Sequence, residues 1–205
     1  GVARGSLRWA DRIVIAECGD AATAETALAA ARLRPRTPVF AVVRDAWLAE
    51  HLRHTVEDRS ERVWKGDELI SVSEHAAAAR AVLGAHPPFL MAQRAGGRRI
   101  HLLIAGFDGL GEALVRDVMH TNQVTGLEAM RITIIDPAGE ARAASFATRY
   151  PGLMAEYDLA FIACNAEALT GPACQELKAR IAEDPVTAAY VATGEESPPL
   201  KTALG

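Results

Sequence analysis

The stretch from Ile100 to Gly111 limits the possible folds of this chain more than any other stretch. Ile100 to Ala105 is an apolar run interrupted by a single histidine, which is typical of a strand in a buried sheet. Three glycines follow within six residues, and an amphipathic helix is predicted to begin at Gly109. A strand that leads through a glycine turn directly into a helix indicates a β-α unit of a parallel sheet.

The glycines fit the dinucleotide-binding pattern G-x-G-x-x-G at all but one position. Gly106 takes the first position, which makes the tight turn, and Gly111 takes the third, which lets helix and strand pack closely. Asp108 stands where the second glycine would let the backbone approach a pyrophosphate. The next predicted strand ends at Asp136, the position for an acid that binds a ribose 2′-hydroxyl.

Asp108 leaves several interpretations of this turn open. A helix N-terminus offers amide donors and a partial positive charge to a phosphate, and a carboxylate would compete for those donors and repel the phosphate. Either a phosphate binds in a displaced position at Gly109, or the turn has lost dinucleotide binding. In the purely structural alternative, Asp108 is the N-cap of the following helix.

The rest of the chain alternates apolar runs with helical patterns. This alternation predicts an α/β fold of Rossmann-like type, a parallel sheet with helices on both faces. Predicted strands are 12–18, 38–43, 62–65, 100–105, 131–135, 158–164 and 186–192, and predicted helices are 21–34, 47–54, 67–83, 109–120, 138–149 and 166–182.

A polar, glycine-rich segment, 93–98, is predicted to link two domains, 1–92 and 99–205. The two parts share a detail, since an apolar run leads to a small residue, a glycine and an acid in both. These are Cys18-Gly19-Asp20 and Thr193-Gly194-Glu195. The similarity suggests a divergent internal repeat, in two partial tandem units.

The composition limits which kinds of partner and which cellular environment are expected for this chain. The 205 residues carry a formal net charge of −4, which makes nucleic acid an unlikely main partner. Cys18 and Cys164 follow apolar runs and are expected to be buried, and the odd number of cysteines predicts a reducing cytosol without disulfides or a zinc site. His51 and His54 are expected on an exposed helix face. No apolar run approaches the ~20 residues that cross a bilayer.

Catalysis is not expected. The three tyrosines, Tyr150, Tyr157 and Tyr190, have no lysine four residues later, and no general acid–base set follows the predicted sheet. His101 lies inside a predicted strand, which favours a place in the core or at a sheet edge over a catalytic role.

Three stretches resemble the RCK or TrkA-N domains, the cytosolic nucleotide-binding regulators of potassium channels and transporters. They are IHLLIAGFDGLGEALVRDV with RITIIDP, ADRIVIAECGDAATAETALAAARLRPRTPVFAVVRD, and VTAAYVATGEESPPLKTAL. The segment ATRYPGL is also similar to bacterial tandem TrkA-N proteins. The resemblance covers most of the chain and implies the second half of one such unit followed by the first part of another.

The resemblance further implies NAD(H) or an adenine nucleotide as cofactor, and a homodimer or larger homo-oligomer that gates a membrane channel or transporter. Its nucleotide would contact the glycine turn, the acid after the next strand and residues after later strands. These are Gly106, Phe107, Asp108, Gly109, Leu110 and Gly111, then Asp136, then Asn165, Thr193 and Gly194.

In the strand order 3-2-1-4-5-6, the first part of the chain would supply strands like 4, 5 and 6, and the second part strands like 1, 2 and 3. We therefore hypothesise that the two parts complete one sheet, within a chain or across a dimer, with Val186–Ala192 as an extra strand. Two other functions stay open: an interaction or dimerisation module without ligand, and an NAD-dependent oxidoreductase.

Overall fold

The computed structural model describes residues 10–34, 37–58, 69–121, 126–165 and 171–192. The chain divides into two compact units, Gly1–Ala78 and Ala79–Gly205. The division falls inside a helix and upstream of the 93–98 segment. Both units are parallel sheets flanked by helices, so the predicted α/β class is confirmed.

The first unit contains a three-stranded parallel sheet in the order β1-β2-β3. Its elements are β1 (Ile13–Ile15), α1 (Asp20–Leu33), β2 (Val39–Val43), α2 (Ala46–Asp58) and β3 (Leu69–Ser73), and α3 (Glu74–Ala85) then crosses the division between the units. Each strand lies beside its predecessor, so right-handed crossovers place α1 and α2 on the same face. That face buries Ile13, Val39 and Leu69 against alanines of α1.

The second unit contains a four-stranded parallel sheet in the order β6-β5-β4-β7. Its elements are α4 (Pro88–Ala95), β4 (Arg99–Ala105), α5 (Gly109–Thr121), β5 (Glu128–Asp136), α6 (Gly139–Arg149), α7 (Pro151–Glu156), β6 (Asp158–Ala163), α8 (Pro172–Glu183) and β7 (Ala188–Val191). From β4 the chain adds β5 and β6 on one side and then returns to add β7 on the other side. The sheet therefore has the 3-2-1-4 order of a Rossmann half.

This reversal covers both faces of the second sheet. Leu102, Ile132 and Ile134 pack on the face that also buries residues of α5 and α6. Leu177 of α8 packs on the opposite face, together with Ile135. The alternation of side chains along each strand therefore supplies two apolar cores from one run of residues.

The prediction of a helix from Asp67 to Leu83 is wrong at its start, because Leu69–Ser73 is a strand and the helix begins at Glu74. The hydroxyl of Ser73 accepts the amide of Ala76 at 3.2 Å, so Ser73 is the N-cap. Ser73 also donates its hydroxyl to the carbonyl of Arg44 at 2.9 Å, an interaction that exists only once the strands pair. The predicted strand 62–65 lies outside the described residues.

Helix α4 was not predicted, since two consecutive prolines, Pro87 and Pro88, stand at its start. Pro88 occupies the first turn of α4, where its missing amide costs nothing. The helix ends at Gly96, whose φ of 65° is left-handed. The first residues of the predicted 93–98 linker are therefore helical.

The hypothesis that the two parts complete one sheet is wrong within the chain, because the described strands form two separate sheets. The separation into two sheets is explained by β7, which lies within the segment 186–192 that the hypothesis treated as an extra strand. β7 pairs with β4 from Leu102↔Ala188 to Ala105↔Val191, and thereby fills the edge at which strands like those of the first unit would have added.

The expected burial of Cys18 is also wrong, since its thiol is exposed, whereas Cys164 and Cys174 are buried. β1 ends at Ile15, three residues before Cys18, so the sheet no longer covers that position. His51 is exposed as expected and stacks on Trp47 with ring centroids 5.1 Å apart. The side chain of His54 is not among those that the structure describes.

Candidate functional site

The glycine turn lies between β4 and α5, at the carboxyl end of the second sheet. Gly106 has a φ of 88°, in the left-handed region that favours glycine, and its amide donates to the carbonyl of Ile135 at 2.8 Å. A Cβ at Gly111 would clash with the Gly106 carbonyl oxygen. Gly106 and Gly111 therefore serve the tight turn and the close packing that the pattern assigns to its first and third glycines.

Asp108 caps helix α5. Its Oδ1 accepts the amides of Leu110 at 3.1 Å and Gly111 at 3.3 Å, and its backbone carbonyl accepts the amide of Glu112 at 2.9 Å. These are the amides that a helix N-terminus otherwise offers to an anion. The contacts of Asp108 are therefore those of an N-cap residue, and a phosphate at this helix terminus would have to compete with the Asp108 carboxylate.

Phe107 contributes its backbone to the turn and its side chain to the core. Its ring is 2% exposed and lies edge-on to the rings of Phe146 and Phe161, at centroid distances of 5.6 and 4.9 Å. A ligand at this turn would meet the Phe107 backbone, because the ring is occupied by packing.

Asp136 is placed at the end of β5, as the pattern predicts, and is 7% exposed. Its Oδ2 accepts the amide of Phe107 at 2.8 Å, and its Oδ1 accepts the amide of Ala138 at 2.8 Å. Oδ2 therefore ties the end of β5 to the segment that follows β4, whereas Oδ1 stabilises the turn between β5 and α6. The guanidinium of Arg142 lies 3.9 Å from Oδ1, so a cation also faces this acid.

A second acid, Glu112, lies in the first turn of α5 and was missed by the sequence analysis. It is 8% exposed, with Arg149 2.6 Å from its Oε2, and it accepts the hydroxyl of Tyr150 at 3.1 Å. Burial, followed by the charge of Glu112, raises the pKa of Tyr150. No local signal could reveal this cluster, because its members are 37 and 38 residues apart in the chain.

The strand order reverses between β4 and β7, directly beside the glycine turn. The amide of Ala192, which follows β7, donates to the carbonyl of Ala105 at 2.7 Å. In open α/β sheets, ligands bind in the crevice outside the carboxyl ends of the strands at this switch point. The structure thus brings the turn and the end of β7 together. Thr193 and Gly194 lie outside the described residues.

Asn165 lies at the same end of the sheet but farther from the crevice. It is exposed and follows β6, whose end contacts β5 through the amide of Cys164 and the carbonyl of Asp136 at 3.2 Å. Since β5 separates β6 from β4, Asn165 is two strands away from the glycine turn.

The first unit has a carboxylate at the corresponding end of its sheet. Asp20 opens α1, and its two oxygens accept the amides of Arg44 at 2.9 Å and Asp45 at 2.8 Å, after β2. The acid that follows Cys18-Gly19 therefore has a structural role in this unit, because it links the start of α1 to the end of β2. The matching segment, 193–195, lies outside the described residues.

Comparison of the chain with models of known protein families, with curated proteins and with solved structures gives no match. Within the described ranges, no group of three or more histidine, cysteine or acidic residues could hold a metal ion. The described helices also include none with the length and apolar character to cross a bilayer.

Proposed function

We propose that this chain is a cytoplasmic regulatory module that binds NAD(H) or an adenine nucleotide and passes the effect of binding, as a homodimer or larger homo-oligomer, to a potassium channel or transporter. The observation that carries the proposal is the coincidence of the glycine turn with the reversal of strand order between β4 and β7. The resemblance of this stretch to RCK or TrkA-N domains supplies the biological role, since a fold by itself does not assign one.

The proposal gives Asp108 a defined effect on affinity. Its carboxylate stands at the helix terminus that would hold a phosphate, and it accepts the amides of Leu110 and Gly111. A bound phosphate must displace this carboxylate or bind beside it at Gly109. Removing the charge while keeping an N-cap should therefore strengthen binding.

The test is calorimetric titration of the whole chain with NAD⁺, NADH, ATP and AMP. Asp108→Asn keeps an acceptor for the capped amides and is expected to raise affinity about two- to fivefold, the equivalent of about 0.3–1 kcal/mol for a charge at a helix terminus. Asp45→Asn is the matched control, because Asp45 caps α2 through the amide of Leu48 at 2.9 Å in the unit without the glycine turn.

Asp45→Asn should leave affinity unchanged. Equal affinity of Asp108→Asn and wild type for every nucleotide would show that the Asp108 carboxylate does not obstruct nucleotide binding. Binding should also stabilise the fold by about 2.7 kcal/mol at ligand a hundred times above its dissociation constant.

The second candidate is an interaction or dimerisation module without ligand. It is favoured by the contacts of Asp108 and Asp136, because main-chain amides donate to the carboxylates of both residues. In a dinucleotide site, the Asp136 carboxylate would bind the ribose, and a glycine without a side chain would stand at position 108. This candidate predicts no heat and no thermal shift with any of the four nucleotides, in wild type, Asp108→Asn and Asp108→Gly alike.

An oxidoreductase receives no support from the geometry of His101. The residue is fully buried in β4, its Nε2 lies 2.9 Å from the hydroxyl of Thr133, and its Nδ1 lies 2.5 Å from the carbonyl of Asp184. Both ring nitrogens are therefore engaged within the fold, at the opposite end of the sheet from the glycine turn.

A further inference from the structure

A cavity of about 440 Å³ lies at the amino end of the second sheet, opposite the glycine turn. This volume is within the range of about 300–1,000 Å³ that small-molecule sites occupy. The cavity is formed where β4, β5 and β7 begin and α8 ends. Six charged residues line it: Arg98, Arg99, Arg131, Glu128, Glu183 and Asp184.

The lining has no net charge, because three arginines face three carboxylates. The rim is paired, with Arg98 2.8 Å and Arg99 3.1 Å from the carboxylate of Glu128. A monovalent ion of either sign would disturb this balance. A neutral ligand keeps the ion pairs of the rim intact.

The floor of the cavity contains a donor and an acceptor that lack hydrogen bonds among the described residues. Nη1 of Arg131 and Oδ2 of Asp184 are both buried and have no hydrogen-bond partner there, although Nη1 also forms an ion pair with Oε2 of Glu183 at 3.2 Å. Oδ2 lies 3.9 Å from Nη1 of Arg131 and 3.8 Å from Nη1 of Arg99. These separations are too long for direct hydrogen bonds but suit one oxygen atom placed between the three groups.

Only certain groups satisfy this arrangement. The bridging atom must accept protons from two guanidiniums and donate one proton to a carboxylate, which a hydroxyl group or a water molecule does. A carboxylate ligand would face Oδ2 without a proton to donate. An ammonium ligand would face two guanidiniums without a lone pair.

The groups are held in place before any ligand arrives. Nε of Arg131 donates to the carboxylate of Asp158 at 2.7 Å, and the Arg131 side chain is only 10% exposed. Asp184 is anchored through its backbone, since its carbonyl lies 2.5 Å from Nδ1 of the buried His101. Such anchoring lowers the entropy cost of binding.

We propose that this cavity binds a neutral polyhydroxy compound, such as a small sugar or a cyclitol, with one hydroxyl placed between Arg99, Arg131 and Asp184. Neighbouring hydroxyls of the ligand would reach Glu128 and Glu183, two further carboxylates of the lining. The site is distinct from the glycine turn, and the inference does not rest on the proposed nucleotide function.

The test uses the whole chain and three probes, D-glucose, D-ribose and myo-inositol, by saturation-transfer NMR and calorimetric titration. At least one probe is expected to bind, and Asp184→Asn should weaken its binding about tenfold, because it removes the charged acceptor of the seated hydroxyl. Glu176→Gln, an exposed position on α8 that does not line the cavity, is the matched control.

Arg99→Gln tests the donor side independently, in case Asp184→Asn perturbs the fold, and it should weaken binding to a similar extent. Asp108→Asn should leave polyol binding unchanged, which separates this site from the glycine turn. Failure of all three polyols to bind wild type means that water alone fills the gap and overturns the proposal. Unchanged affinity in both the Asp184 and Arg99 variants, or preferential binding of sodium acetate or methylammonium chloride, also overturns it.

Discussion

The two units build parallel strands from similar apolar runs, yet their sheets are covered differently. In the first unit each strand follows its predecessor in one direction, so α1 and α2 share a face. Val14, Ile70 and Val72 alternate with the buried positions and are 68%, 40% and 37% exposed. In the second unit the return to β7 places α8 on the opposite face from α5 and α6.

The difference shows that strand order, and not strand composition, decides whether a half-sheet has two cores and a crevice. A reversal of order puts helices on both faces and opens a crevice at the same point. Both units do place a carboxylate at the carboxyl end of the sheet, Asp20 in the first and Asp136 in the second, where it accepts two main-chain amides.

The sharpest test of this comparison is a large-to-small substitution in the doubly covered sheet. Ile134 is fully buried in β5, and Ile134→Ala is expected to cost about 2–5 kcal/mol of unfolding free energy, because a packed site cannot collapse around the lost methyl groups. Urea unfolding measures it. A cost near that of an exposed substitution would contradict the packing of the second core.

Substitution of the carboxylates at the ends of the two sheets, Asp136 and Asp20, is expected to give the next largest effect. Asp136→Asn replaces one acceptor with a donor that faces a main-chain amide in a site 7% exposed, and should cost about 1–3 kcal/mol. Asp20→Asn makes the same change where Asp20 is only partly buried, so its cost should be smaller. Equal costs would mean that burial does not separate the two carboxylates.

Acid should act on the second unit through Asp158. Burial raises the pKa of this carboxyl, but hydrogen bonds from Arg131 and Arg180 outweigh burial and hold it below its usual value. The contribution to stability is therefore complete above the unfolded-state pKa of about 4 and is lost as pH falls through the lower folded-state pKa.

Hydrogen exchange of β4, β5 and β6 at pH 6 and pH 3 measures this loss. Asp158→Asn should reduce the difference in protection between the two pH values, and added salt should reduce it in wild type, since the Asp158 side chain is 39% exposed. An unchanged difference in the variant would exclude Asp158 as the origin of the acid sensitivity.

The smallest effect is expected on the face of the first sheet that carries Val14, Ile70 and Val72, which are exposed among the described residues. Val14→Thr keeps a β-branched residue at a position that is 68% exposed, and should change the unfolding free energy by less than about 0.5 kcal/mol. A larger loss in dilute protein would show that this face is covered, and dependence of the loss on protein concentration would place the cover on a second chain.

Strand and helix type followed from local pattern. The β-branched runs of β2 and β5 and the glycine turn at Gly106 were predicted, because each depends on residues that are neighbours in the chain. The strand Leu69–Ser73 was not, since its hydroxyls find partners only after β2 and α2 have packed beside it. The pairing of Glu112 with Arg149 was missed for the same reason.

The sequence alone determined that Gly106 makes a tight turn after a buried strand, that Gly111 lets the helix beginning at Gly109 pack closely on that strand, and that an acid stands at the end of the next strand. Tertiary structure decided what these residues contact. The carboxylate of Asp136 turns inward to the amide of Phe107, and β7 occupies the edge beside β4, because amides and strand edges removed from water must find partners within the fold.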